Sequence, residues 1–265
     1  MKRTIIAVLL FILTQLLGTF AAAVILIICK IGTLGSDFSL QEFQQMYMVQ
    51  ITTIGLVMSH FLMFFILWAL KYFKPSDFIK KVPGKTLLAC IVMIFFGLFS
   101  LDILNSALDL PNILEDAFSE MSKSVPAILS IAIFGPAIEE LVFRRIIIDE
   151  CTTYFKGRQW AAIIMSSALF GLVHMNPAQM VFAAGAGILF GWIYCRTGSM
   201  LPGFVGHVIN NSIGVIDMRT HVMEKAIGGD EISLFNDPTL MIALVCSLVI
   251  VGITAYIIKN ETKAQ

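Results

Sequence analysis

Seven stretches of this chain contain no charged residue: 4–29, 43–70, 86–101, 124–138, 159–195, 197–216 and 238–258. A helix crossing a bilayer needs about 20 apolar residues at about 1.5 Å each, and few alternatives satisfy backbone polar groups in hydrocarbon. The run 159–195 is too long for one helix and contains Asn176-Pro177, a turn signal. Split there, the chain predicts eight membrane helices. Composition agrees: 14% of the 265 residues are charged and 58% are hydrophobic, whereas a soluble domain carries about 25% charged residues. A soluble globular fold is excluded. The fold expected is all-α, a polytopic membrane helix bundle of about eight transmembrane helices with its active site inside the bundle.

Basic and acidic residues number 18 each, so net charge says nothing about partners, but their placement does. Threading eight helices from a cytoplasmic N-terminus puts fourteen basic residues inside and leaves Lys30, Lys123, Arg219 and Lys225 outside. That asymmetry obeys the positive-inside rule and predicts a multi-pass protein of the cell membrane with cytoplasmic N- and C-termini. Trp68, Trp160 and Trp192 fall near inner helix ends, where indole rings settle. Ala21-Ala22-Ala23 looks like a signal-peptide cleavage site, but the apolar run continues through Ile28, which reads as an anchor. The five cysteines are scattered without a CxxC pair and indicate neither a disulfide framework nor a thiolate metal site. No repeat or linker stands out, so residues 1–265 read as one membrane domain. Residues 102–123 form a connection with a surface helix, and 217–237 form a polar outer loop. The bilayer is the expected environment, and no nucleic-acid partner is expected.

The strongly polar residues left at membrane depth are few: His60, Glu139, Glu140, Arg144, His174, His207, Asn210 and Asn211. A charge at the centre of a span costs about 2.5–3.5 kcal/mol on insertion scales, and such residues are functional candidates by default. Glu140 and Arg144 stand four apart on one helical face and predict a neutralising ion pair. Glu139 is rotated about 100° from Glu140 and faces another partner. Glu139 precedes the Lys156-Gly157-Arg158 turn by almost the number of residues by which His174 follows it. In a helix hairpin the two return to one height. His207 fits this ruler less well: either that turn protrudes from the membrane, or the 198–203 stretch climbs into it as irregular backbone.

If these groups converge, they can hydrolyse a bond with activated water. Glu139, His174 and His207 would leave an open position on a tetrahedral Zn2+, which lowers the pKa of bound water to about 7. Without metal, a glutamate can act as general base while a histidine and Asn211 stabilise the oxyanion. No serine or cysteine is obviously paired with these histidines, so a covalent nucleophile is the weaker reading.

The pattern Glu139-Glu140-x-x-x-Arg144, Phe170-x-x-x-His174 and His207-x-x-x-Asn211 resembles that of the CPBP intramembrane proteases. That family includes CAAX prenyl endopeptidases of the Ras-converting type and bacterial Abi and lysostaphin-resistance-protein-A-like proteins. The resemblance covers about residues 127–214. It implies that Glu139 activates the water, with His174, His207 and Asn211 as ligands or transition-state donors; the catalytic set expected is Glu139, Glu140, His174, His207 and Asn211, beside the structural Arg144. It also implies a membrane-associated polypeptide substrate, lipidated in the eukaryotic branch. Arg145 departs from the family, which has a small residue there.

Blander readings stand beside this one. The glutamates and arginines could be a structural ion-pair cluster, His174 a helix-end cap, and Asn211 an interhelical hydrogen-bond former. His60 matches no motif and reads as a packed or pore-facing residue; His221 reads as solvated. A non-cutting scaffold or bacteriocin-immunity-type protein of the same fold, or a proton-coupled transporter, are the competing function classes.

Overall fold

The computed structural model describes residues 1–30, 39–78, 80–220 and 237–262; His221 lies outside them. Among the described residues nine α- or π-helical segments follow one another: α1 (Lys2–Lys30), α2 (Leu40–Ala69), α3 (Gly84–Ser106), α4 (Glu115–Met121), α5 (Val125–Tyr154), α6 (Gln159–Leu172), α7 (Pro177–Thr197), α8 (Leu201–Thr220) and α9 (Pro238–Glu261). No strand occurs among the described residues. The architecture is an all-α polytopic bundle. Each expected membrane segment appears as a helix, and α4 lies in the stretch expected to hold a surface helix. Six helices (α1, α2, α3, α5, α7 and α9) are long and apolar enough to cross a membrane. α6 is apolar but shorter, and α8 is not among the six. By length and composition, then, six of the eight expected spans among the described residues qualify as membrane-crossing helices.

α5 is the central helix. Half of its most apolar window is buried within the protein, against 22% for α1 and for α9. Leu141, Val142, Phe143 and Ile147 are completely buried in the largest apolar cluster. α1 packs along α2, α3 along α9, and α6 along α7. In a bilayer these contacts rest on close van der Waals fit, because lipid is as apolar as the side chains it would replace. Gly171 of α6 illustrates this: a Cβ there would stand 2.6 Å from the Met180 carbonyl oxygen of α7.

The connections help to place the polar residues. α5 and α6 turn through Lys156 (φ +54°) and Gly157 (φ +85°), as the sequence suggested. The α6–α7 turn is held from the side: the buried Asn176 amide accepts from the Ile113 N–H (3.1 Å) and donates to Asn112 Oδ1 (2.8 Å). Between α7 and α8 only residues 198–200 are non-helical. Ser199 and Met200 are buried there, and Ser199 donates to the Lys80 carbonyl at 2.7 Å. The chain therefore re-enters the protein almost at once and begins α8 at Leu201. Of the 198–203 stretch that the sequence allowed to be irregular, residues 201–203 are helical and only 198–200 are not.

Arg145 is absorbed by local structure. Its Nε pairs with Asp77 Oδ2 at 3.0 Å, it also pairs with Asp149, and Asp149 accepts from the Tyr194 hydroxyl at 2.9 Å. The residue thus ties the connection before α3 to α5 and α7.

Candidate active site

The backbone of α5 changes winding around the two glutamates. Ser130–Phe134 and Glu140–Ile148 are π-helical, and Gly135–Glu139 between them is α-helical. Pi-helical turns are uncommon and concentrate at functional sites. Proline explains part of the local pattern. The Gly135 N–H bonds to the Ser130 carbonyl, so the Ile131 carbonyl would look to residue 136. That residue is Pro136, which has no N–H to give. The orphaned carbonyl is instead satisfied from α8, by Asn211 Nδ2 at 2.9 Å. Asn211 Oδ1 in turn accepts from Asn210 at 3.3 Å. Asn211 does form the interhelical bond expected of it on blander grounds, and it still has a second N–H on the same amide.

Glu140 and Arg144 form the ion pair their spacing predicted, 3.3 Å apart with both side chains buried. The approach lacks hydrogen-bond geometry, leaving Arg144 Nε, Nη1 and Nη2 and Glu140 Oε2 without hydrogen-bond partners. Ring faces supply the remaining stabilisation: the guanidinium lies 4.5 Å from the Phe170 centroid and 5.1 Å from that of Phe190. α8 comes close at this point. A Cβ on Gly203 would stand 2.8 Å from Glu140 Oε2, so this position has no space for a side chain unless Glu140 moves.

Glu139, as helical rotation required, faces elsewhere. Its half-buried carboxylate enters a cavity of about 470 Å³ that also presents His174, His207, Asn210 and Asn211. Residues from α1 to α8 line this cavity. His207 stands between the two glutamates, with Nδ1 3.3 Å from Glu140 Oε1 and Nε2 3.5 Å from Glu139 Oε2. A carboxylate can only accept, so Nδ1–H donates to Glu140, while Nε2 is turned toward Glu139. His174 Nδ1 lies 2.7 Å from the Phe170 carbonyl. It must likewise donate, which leaves its Nε2 a bare acceptor. The Phe170 of the second motif thus holds His174 through its carbonyl while its ring packs edge-on to both histidines and under Arg144.

The sequence-derived set therefore meets in one place: four members line the cavity, and Glu140 with Arg144 lies directly behind. The chemistry of Glu139, His174 and His207 suits zinc, but the arrangement does not. Among the described residues no group of three or more His, Cys, Asp or Glu is placed to hold a metal ion, and both nitrogens of His207 are already turned to carboxylates.

Sequence reasoning missed part of the wall. His60 of α2 lines the cavity, and its Nδ1 lies 2.9 Å from Ser130 Oγ of α5. His60 also borders a second, apolar cavity of about 360 Å³ formed with Phe61, Phe64, Phe134, Ala137 and others. Nothing in the sequence pairs residues seventy apart on helices of unknown rotation.

Comparison with known proteins bears on the same segment. Residues 121–213 match the family described as Type II CAAX prenyl endopeptidase Rce1-like. The chain is 26% identical over 167 residues to YdiL of Bacillus subtilis (strain 168), provisionally named a membrane peptidase; the match covers 57% of this chain and 68% of that one. It is 30% identical over 101 residues to MroQ of Staphylococcus aureus (strain USA300), named a membrane-embedded CAAX protease, covering 36% of this chain and 41% of the relative. No solved structure matches.

Proposed function

We propose that this chain, which over residues 121–213 is similar to the Type II CAAX prenyl endopeptidase Rce1-like family and is also similar to relatives named as membrane peptidases, hydrolyses a peptide bond of a membrane-associated polypeptide with water activated by Glu139. One observation carries the reading: Glu139 of α5, His174 of the α6–α7 turn, and His207 and Asn211 of α8 face a single cavity. Glu139 is the base and draws a proton from water that the bare Nε2 of His174 helps to place. His207, hydrogen-bonded to Glu140 through Nδ1 and 3.5 Å from Glu139 through Nε2, fixes the position of the Glu139 carboxylate. The attacking water oxygen bonds to the carbonyl carbon, the C–N bond breaks, and the nitrogen leaves with the proton Glu139 collected. Glu140 and Arg144 hold the set in place and face away from the substrate.

The test replaces Glu139 with Gln, which keeps the shape and hydrogen bonding but cannot take the proton. Cleavage of a fluorophore-quenched single-span peptide in proteoliposomes should fall by about 10² or more while the protein melts normally. Unchanged cleavage overturns the reading. Metal analysis of the same preparation decides between free and zinc-bound water; stoichiometric zinc lost in Glu139→Gln and His207→Ala favours the latter. A scaffold or immunity protein of this fold would show no cleavage in the wild type under conditions where its partner binds.

The orientation proposed keeps both termini and the Lys71–Lys85 loop in the cytoplasm, on the asymmetry of basic residues. A cysteine at position 80 labelled from outside intact cells would reverse it.

A further inference from the structure

We propose that His60 is a further catalytic residue, donating through Nε2–H to the carbonyl oxygen of the bond being cut, with Ser130 setting its tautomer. The inference rests on the hydrolytic reading and adds a residue that lies outside all three sequence motifs.

The tautomer follows from Ser130. Its hydroxyl is fully buried, and a buried O–H needs an acceptor. Ser100, Ser167 and Ser247 give theirs to the carbonyl four residues back. Ser130 has His60 Nδ1 at 2.9 Å instead. The hydroxyl therefore donates, Nδ1 accepts, and the ring proton is on Nε2. His174 and His207 are set the opposite way, each spending Nδ1–H on an oxygen. The cavity thus receives an acceptor from His174 and a donor from His60, with His207 engaged by the two glutamates.

Placement supports the role. His60 is buried and shares the cavity wall with Glu139, and among the described residues its Nε2 makes no hydrogen bond. Gly135 lies against the ring: a Cβ there would be 3.5 Å from Cε1 and 3.7 Å from Nε2. When water attacks, the π pair of the carbonyl moves onto its oxygen. A donor aimed at that oxygen stabilises the intermediate until the pair returns and the C–N bond breaks. Removing one such donor costs about 10²–10³ in kcat in well-studied hydrolases.

The experiment compares wild type with His60→Phe, His60→Gln, Ser130→Ala and Glu139→Gln on the quenched single-span peptide. We expect His60→Phe to lower kcat at least about 100-fold with KM within about threefold, since the contact strengthens only as charge develops. His60→Gln, which retains an N–H near the Nε2 position, should recover about tenfold of that loss. If Glu139→Gln cleaves like wild type, the hydrolytic reading fails independently of His60. If Glu139→Gln is dead and His60→Phe turns over within threefold of wild type, the role of His60 is overturned. Histidine 15N NMR of the wild type in detergent is decisive even where a variant does not fold. One ring should show the Nε2–H tautomer and change in Ser130→Ala; finding His60 protonated on Nδ1 alone overturns the proposal.

Discussion

α5 and α9 are both membrane-length helices of this bundle, and they have little else in common. α9 is the more apolar, with a mean hydropathy of 2.6 over its best window against 1.7 for α5, yet it is the less buried, at 22% against 50%. α9 lies at the edge against α3, while α5 is enclosed by neighbours and carries Glu139, Glu140 and Arg144. The contrast teaches that hydropathy ranks helices by what lipid tolerates, and that the interior of a membrane protein is where the exceptions go. A carboxylate facing lipid has no partner; the same group on α5 has His207, Arg144 and a cavity.

The comparison is broken most severely by removing the charge that the interior accommodates. Glu140→Gln leaves Arg144 buried between two rings without its carboxylate and gives His207 Nδ1–H a neutral amide acceptor in place of a charged one. Breaking a buried pair from one side costs about 3–5 kcal/mol. We expect a large fall in melting temperature and yield, and weak cleavage by whatever remains folded. Thermal melting beside Glu139→Gln measures the difference. A stable, inactive Glu140→Gln together with an active Glu139→Gln would mean that the two glutamates have exchanged roles.

A smaller effect is expected at Asn211. Asn211→Ala withdraws the donor from the Ile131 carbonyl, which Pro136 cannot replace, at a cost of about 1–3 kcal/mol. Because this bond joins α8 to the π-helical turn that precedes Glu139, cleavage should fall by more than the loss of stability explains. Asn211→Asp, which cannot donate when ionised, should resemble Ala; if it behaves like wild type in both assays, the bond to Ile131 is not what Asn211 contributes.

The smallest effect belongs to the periphery. Leu248 of α9 is half exposed and faces outward. Leu248→Ala should change melting by no more than about 0.5 kcal/mol and leave cleavage intact, as expected for a surface substitution. A drop comparable to that of Asn211→Ala would show that α9 has a partner on its outer face and that the contrast with α5 is false.

By itself, the sequence determined that this chain is a helical membrane protein, roughly where its helices run, and which residues are too polar to be there without reason. Those conclusions follow from free energies local to a residue or a turn: the cost of charge in hydrocarbon, the 3.6-residue period, the conformational limits of glycine and proline. The Glu140–Arg144 pair and the outward rotation of Glu139 were legible for the same reason. That Glu139 and His174 would share one cavity was legible as well, since a hairpin with a short turn is one-dimensional geometry. What depended on helices far apart in sequence was decided by tertiary structure. α8 placed His207 between the glutamates, Gly203 let α8 approach Glu140, Asn211 supplied the bond Pro136 could not, and α2 delivered His60 to Ser130. Each depends on the rotation and depth of one helix against another, set by many weak packing contacts in a solvent that favours no face, and no local rule encodes that sum.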